Sequence, residues 1–151
     1  MLRSLVGSEM CIRDREYAQG LNLVEPFYWD QDDKARQWSE RYFKRTGRMP
    51  SMVQASNYSA TMHYLNAVKA AGTDGSEPVL KKMHDTPIND FMTENGRIRE
   101  DGRVMRDLYL FQVKKPSESK RDWDYYNLVR KIPAEQAFRP LKDGGCALVK
   151  S

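Results

Sequence analysis

The sequence predicts an α/β fold that is incomplete, and three observations lead there. Strand signals stand at both ends of the informative region, with three helix signals between them. Those helices would have little sheet to cover, because one lone strand precedes them and only a few follow. The opening residues, moreover, read as no element at all. Otherwise the 151 residues, 40% hydrophobic and 30% charged, are the size of one ordinary domain.

The opening SLVGSEMCIRDR is neither a targeting segment nor a helix. A secretory signal needs a basic start, an uninterrupted apolar run and small residues at a cleavage site. Here Leu5, Val6 and Gly7 run straight into Ser8 and Glu9, and Met10-Cys11-Ile12 into Arg13-Asp14-Arg15. No stripe spaced for a helix is present. The DNA string CTCGTGGGCTCGGAGATGTGTATAAGAGAC of a transposase-type sequencing adapter translates as Leu5 to Asp14. Residues 1–15 are therefore expected to be an adapter-derived leader, outside any fold reasoning, with the native sequence starting near Glu16.

Gly20 to Glu25 reads as a short strand ended by Pro26. Asp30, Asp32 and Asp33 supply cap chemistry for a helix over 32–45, closed by Gly47. Ala35, Trp38, Tyr42 and Phe43 fall on one face of it. After Pro50 a second helix runs from Met52 or Ser56 to Ala71, with Tyr58, Met62, Leu65 and Val68 as its stripe and Gly72 as its stop. Ser76-Glu77-Pro78 starts a short helix reaching His84. Asn95-Gly96 and Asp101-Gly102 then signal turns, the second joining strands over 97–99 and 104–113 in a hairpin. The apolar run Leu108 to Val113 suits a strand covered on both faces. Lys114 to Arg121 is a polar linker, and a last strand runs from Asp122 to Ile132. The tail from Pro133 carries little periodicity.

Several functions lack their residues. The net charge of +4 is mild and both signs are interspersed, which favours solubility over a nucleic-acid partner. Cys11 and Cys146 make no disulfide framework or zinc constellation, and His63 and His84 read as surface helical residues. No run of eighteen apolar residues exists, and no cofactor motif is present.

Four stretches carry a resemblance. They are GLNLVEPFYWD, then RYFKRTGRMPSMVQASNYSATMHYLNAVKAAGT, then NDFMTENGRIREDGRVMRDLYLFQVKKPSESKRDWDYY, and last AFRPLKDGGCALVKS. In that order and spacing the chain resembles the C-terminal portion of type I periplasmic solute-binding proteins, the branched-chain amino-acid-binding family that serves ABC transporters. The resemblance implies two α/β lobes joined by crossings and closing on a small amino-acid-like solute. It also implies a periplasmic address, delivery to a membrane permease, no cofactor, no nucleic acid and no catalysis. By analogy, residues 16–30 are the last strand of the second lobe and a hinge crossing. Residues 31–86 are helices of the first lobe, and residues 87–151 are the return crossing and terminal hairpin and strands of the second. A ligand-sensing domain of the same fold, or a small basic module acting through its arginine hairpin, are the alternatives.

The candidate solute contacts are Tyr28, Trp29, Asp30 and Tyr58. EPFYWD, as a crossing, borders the cleft, and its aromatic faces could pack on an aliphatic group or a cation. Packing against the neighbouring helices is the simpler reading of Phe27 and Trp29. Asp30 could hold an ammonium, but a helix cap explains it with less. The family often has Tyr-Asp-Ala where this chain has Tyr58-Ser59-Ala60, which puts any role of that carboxylate in doubt, and helix packing is the simpler reading of Tyr58. Arg97, Arg99, Arg103 and Arg106 read as a solvated hairpin broken by Glu100, Asp101 and Asp107. Without the sheets its helices should cover, the chain is expected to expose Trp38/Tyr42 and Met62/Leu65 and to fold poorly alone.

Overall fold

The computed structural model describes residues 15–145 and 149. The leader reading, Arg15 apart, and the readings of Cys11 and Cys146 lie outside the described residues. One turn of helix, α1 (Arg15–Ala18), precedes β1 (Asn22–Glu25). Three helices follow: α2 (Asp33–Thr46), α3 (Met52–Ala71) and α4 (Ser76–Asp85). The chain continues through β2 (Arg97–Ile98), β3 (Val104–Met105), β4 (Leu108–Val113), β5 (Tyr126–Ile132) and α5 (Ala134–Ala137).

Caps set the helix bounds. The Asp32 carboxylate accepts from the Ala35 amide at 2.8 Å, and Gly47 (φ 71°) donates back to Phe43. Ser51 and Gln54 form a capping box at the start of α3, the Gln54 Oε1 accepting from the Ser51 amide at 2.9 Å. The N-cap is thus Asp32, and Asp30 is not a cap.

The sheet has the order β1-β4-β5, antiparallel throughout. Leu23 stands opposite Phe111, Glu25 opposite Tyr109, and Val113 opposite Tyr126. Strand β4 departs from the expected double burial: Phe111 and Val113 are buried, Gln112 is exposed, and Leu108 to Leu110 are half-buried. One face meets the aromatic core, whereas Val24, Leu128 and Val129 around it remain exposed. The arginine hairpin is also shorter than expected, because β2 and β3 pair over two residues each. Its second strand does not continue into β4. Arg106 turns inward to Ser56 Oγ (3.1 Å), and Asp107 accepts from the Ala134 amide (3.0 Å), which breaks the ladder between them.

The core is one aromatic cluster joining the helices to the sheet. Phe27 and Phe111 are fully buried in it, with Tyr28, Trp29, Trp38 and Tyr126 nearly so. The expected exposure of Trp38 is therefore overturned: Phe91 stacks on it at 4.1 Å and Phe27 meets it edge-on at 5.8 Å. Met62 and Leu65 are exposed, as expected. His63 is not a surface residue. It is buried between α3 and α4, where Nε2 meets the Met83 carbonyl at 3.0 Å.

Candidate functional site: two crossings and the cavities beside them

Two segments carry the chain between sheet and helices. The first, residues 26–32, leaves β1 for α2, and the second, residues 86–96, leaves α4 for β2. They touch through Phe27 and Phe91, whose rings meet edge-on at 5.7 Å.

Side chains hold the first crossing in place. The Tyr28 hydroxyl donates to the Trp123 carbonyl at 2.9 Å and accepts from the Tyr125 amide at 3.0 Å. Trp29 Nε1 donates to the same carbonyl at 2.8 Å. Trp123 sits at φ 68°, a left-handed conformation unusual for a bulky residue, and those two donors anchor its carbonyl there. Burial pushes the Tyr28 phenol up to about 12, so it keeps its proton and stays a donor at neutral pH. Asp30 binds two guanidinium groups, Arg36 at 2.6 Å and Arg121 at 2.5 Å. Arg121 also lies 4.8 Å above the Trp29 ring. Behind it, Asp124 pairs with Lys114; burial pulls that carboxyl upward, but the bonds from Lys114 and the Lys120 amide outweigh it and leave it below the ordinary value.

The second crossing is braced by its own backbone. Ile88 and Gly96 exchange amide bonds of 2.7 and 3.0 Å. The Asp90 carboxylate accepts from the Met92 and Thr93 amides (2.9 and 2.8 Å) and from Ser59 Oγ of α3 (2.5 Å). That contact gives the Tyr58-Ser59 pair a physical meaning: an aspartate at 59 would set two carboxylates face to face. Glycine suits position 96, because a Cβ there would lie 2.4 Å from the Thr93 methyl and force a shift.

Cavities open beside both crossings. Two contiguous ones, of about 510 and 350 Å³, share Lys34, Asp90, Phe91, Thr93 and Glu94. They form a groove of mixed charge between α2 and the second crossing, reaching Tyr109 and Lys131 of the sheet. A smaller cavity of about 80 Å³ lies among the first crossing, residues 49–52 and residues 123–126. A further one, of about 330 Å³, is walled by Trp38, Arg41, Tyr42 and Tyr58 among others.

Of the four residues singled out from sequence, Tyr28, Trp29 and Asp30 are brought together and Tyr58 is not. Tyr28 and Trp29 border the 80 Å³ cavity. Tyr58 stands on α3 with a half-exposed ring, edge-on to Trp38 (5.3 Å) and Phe91 (5.8 Å). Sequence reasoning missed Phe91, Asp90 and Trp123, which no local pattern marks. It also passed over Glu25, although an acidic residue at an inward strand position was a readable signal. The hairpin arginines are not freely solvated. Arg99 pairs with Asp101, Arg97 with Glu135, Arg103 covers the Phe138 ring and Arg106 is half-buried. Among the described residues no cluster of three His, Cys, Asp or Glu could hold a metal ion, and no helix is long and apolar enough to cross a membrane.

Comparison with known proteins agrees with this architecture. Residues 13–120 match the family model described as "periplasmic binding protein". A periplasmic binding protein from Burkholderia mallei is 45% identical with a TM-score of 0.89, covering 95% of this chain and 38% of its own. A branched chain amino acid ABC transporter periplasmic ligand-binding protein from Burkholderia xenovorans LB400 is 37% identical over the same shares, also at 0.89. A leucine binding protein from Thermotoga maritima, at 20% identity and a TM-score of 0.66, shares the fold. The chain thus spans 38% of the length of the two Burkholderia proteins. No curated protein matches. The relatives are solute-binding proteins rather than enzymes, and their fold is the α/β fold expected from sequence, here in part. The chain belongs to the periplasmic binding protein family.

Proposed function

We propose that this chain is the C-terminal part of an extracytoplasmic solute receptor whose whole protein closes two lobes on an amino-acid-like solute. In this reading residues 16–30 end the second lobe and cross the hinge, residues 31–86 belong to the first lobe, and residues 87–151 return and finish the second. The closed form hands its solute to an ABC-transporter permease in the periplasm. The observation that carries the reading is the pair of crossings packed at Phe27–Phe91, with helices on one side and the β1-β4-β5 sheet on the other. A hinge needs such a waist, where two strands of chain flex together. The 37% identity to a branched chain amino acid ABC transporter periplasmic ligand-binding protein supports the solute class.

The four candidates divide in this reading. Tyr28, Trp29 and Asp30 have their polar atoms committed within the fold and position the first crossing. Tyr58 keeps an exposed ring beside an open cavity and offers that face to the solute. The test is titration of the protein, extended upstream to the length of its relatives, with free amino acids while tryptophan fluorescence and radius of gyration are followed. Saturable quenching with compaction is expected for at least one aliphatic amino acid. A flat response to all of them would sink the solute class.

A further inference from the structure

The alternation of β1 puts Leu23 and Glu25 on the half-buried, core-facing row, with Asn22 and Val24 exposed. A carboxyl thus occupies a position where the pattern calls for an apolar side chain, and such breaks of a local rule gather at functional sites. The Glu25 carboxyl makes no hydrogen bond and no ion pair among the described residues. Burial alone acts on it and raises its pKa to about 7.

Beside Glu25 lies the cavity of about 80 Å³, walled by Phe27, Tyr28, Met49, Met52, Trp123 and Tyr125, with Glu25 as the one charged group among its described lining residues. Among the described residues no cation serves it. Lys114 is bound to Asp124, Arg121 to Asp30 and the Trp29 face, and exposed Arg48 makes no ion pair with it. On the facing strand Tyr109 is opposite in register, and its phenol, raised by burial, brings no positive charge. A lone carboxylate among aromatic rings and thioethers attracts a small organic cation, through the charge and through the ring faces. The volume admits a group of a few heavy atoms. A free amino acid fits badly, because its own carboxylate would find no donor there and would face Glu25.

We propose that the Glu25 cavity binds a small primary alkylammonium ion of about one to three carbons. This holds whichever solute the whole protein closes on, and it is tested on the same protein extended upstream to the length of its relatives, where methylammonium and amino acids are titrated separately. The probe is methylammonium chloride at constant ionic strength, read by tryptophan fluorescence, since Trp29 and Trp123 both line the cavity. At pH 8 a saturable change is expected. At pH 6 the apparent affinity falls about tenfold, because a carboxyl titrating near 7 goes from mostly ionised to mostly protonated. Glu25→Gln abolishes the response, and neither glycine nor propan-1-ol reproduces it.

A measurement without any variant guards against a misfolded mutant. The carboxyl carbon of Glu25, followed by NMR in the unsubstituted chain, titrates at lower pH when methylammonium is saturating. No saturable response at pH 8, an equal response in a folded Glu25→Gln chain, equal binding of glycine, or an unmoved Glu25 titration would each overturn the proposal.

Discussion

The two crossings solve one problem by different means. The first, residues 26–32, is pinned from outside: Tyr28 and Trp29 reach 94 or 95 residues along the chain to the Trp123 carbonyl, and Asp30 reaches 91 residues to Arg121. The second, residues 86–96, closes on itself through the Ile88–Gly96 bridge and the Asp90 cap, with Ser59 its one polar tie to α3. A segment held by distant side chains loses its place when the partner loop moves. A segment held by its own backbone moves as a unit. On the proposed reading of the two segments as a hinge, this division would let one strand of the waist sense the sheet side while the other turns as a rigid elbow.

Phe27→Ala tests whether the crossings share one core, and it should have the largest effect. Phe27 is fully buried and meets both Trp38 and Phe91. Its truncation is expected to cost about 3–5 kcal/mol in urea denaturation, the range for a buried ring replaced by a methyl. Amides of both crossings should then exchange faster together. A cost below about 1 kcal/mol would mean that the two segments are independent.

Gly96→Ala separates them. The added methyl collides with the buried, β-branched Thr93, which cannot swing aside cheaply. Overpacking of this kind costs about 1–3 kcal/mol. The damage should be local: amide exchange rises at Ile88 and Gly96 and stays unchanged at Tyr125, whose amide is held by Tyr28. Equal loosening at Tyr125 would erase the distinction between an elbow and a pinned strand.

The same contrast explains what the sequence disclosed. Helix limits were legible where their signals are local, as with Asp32 three residues before Ala35 and Gly72 directly after Ala71, whereas the start of α3 stood open between Met52 and Ser56 and is set by the Ser51–Gln54 capping box. The Asp101-Gly102 turn was legible for the same reason. That β4 pairs with β1, 84 to 90 positions upstream, was not, because strand partners are set by tertiary packing. Nor was the end of the arginine hairpin, since the inward turn of Arg106 depends on Ser56. Tyr28 and Trp29 stood out as aromatic candidates, but their hydrogen-bond partner is a carbonyl, a group every residue carries and no motif marks. Glu25 was readable in principle from alternation and was hidden by the proline that follows it.

Arg121→Gln makes the smallest perturbation and the sharpest one for the first crossing. Arg121 has a side chain 55% exposed, so its pair with Asp30 is screened, and Asp30 keeps Arg36 when it is gone. Its contact with the Trp29 face adds an exposed cation–π term of about 0.5–1 kcal/mol. The total loss should stay near or below about 1 kcal/mol, and raising the salt should remove the ion-pair share before the ring contact. Trp29 should keep its indole bond to the Trp123 carbonyl, so its fluorescence maximum stays that of a buried ring. A large loss, or a red shift, would mean that Arg121 and not the Trp123 carbonyl holds the crossing against the sheet. The pin would then be electrostatic and exposed to salt, a different kind of hinge from one fastened by buried hydrogen bonds.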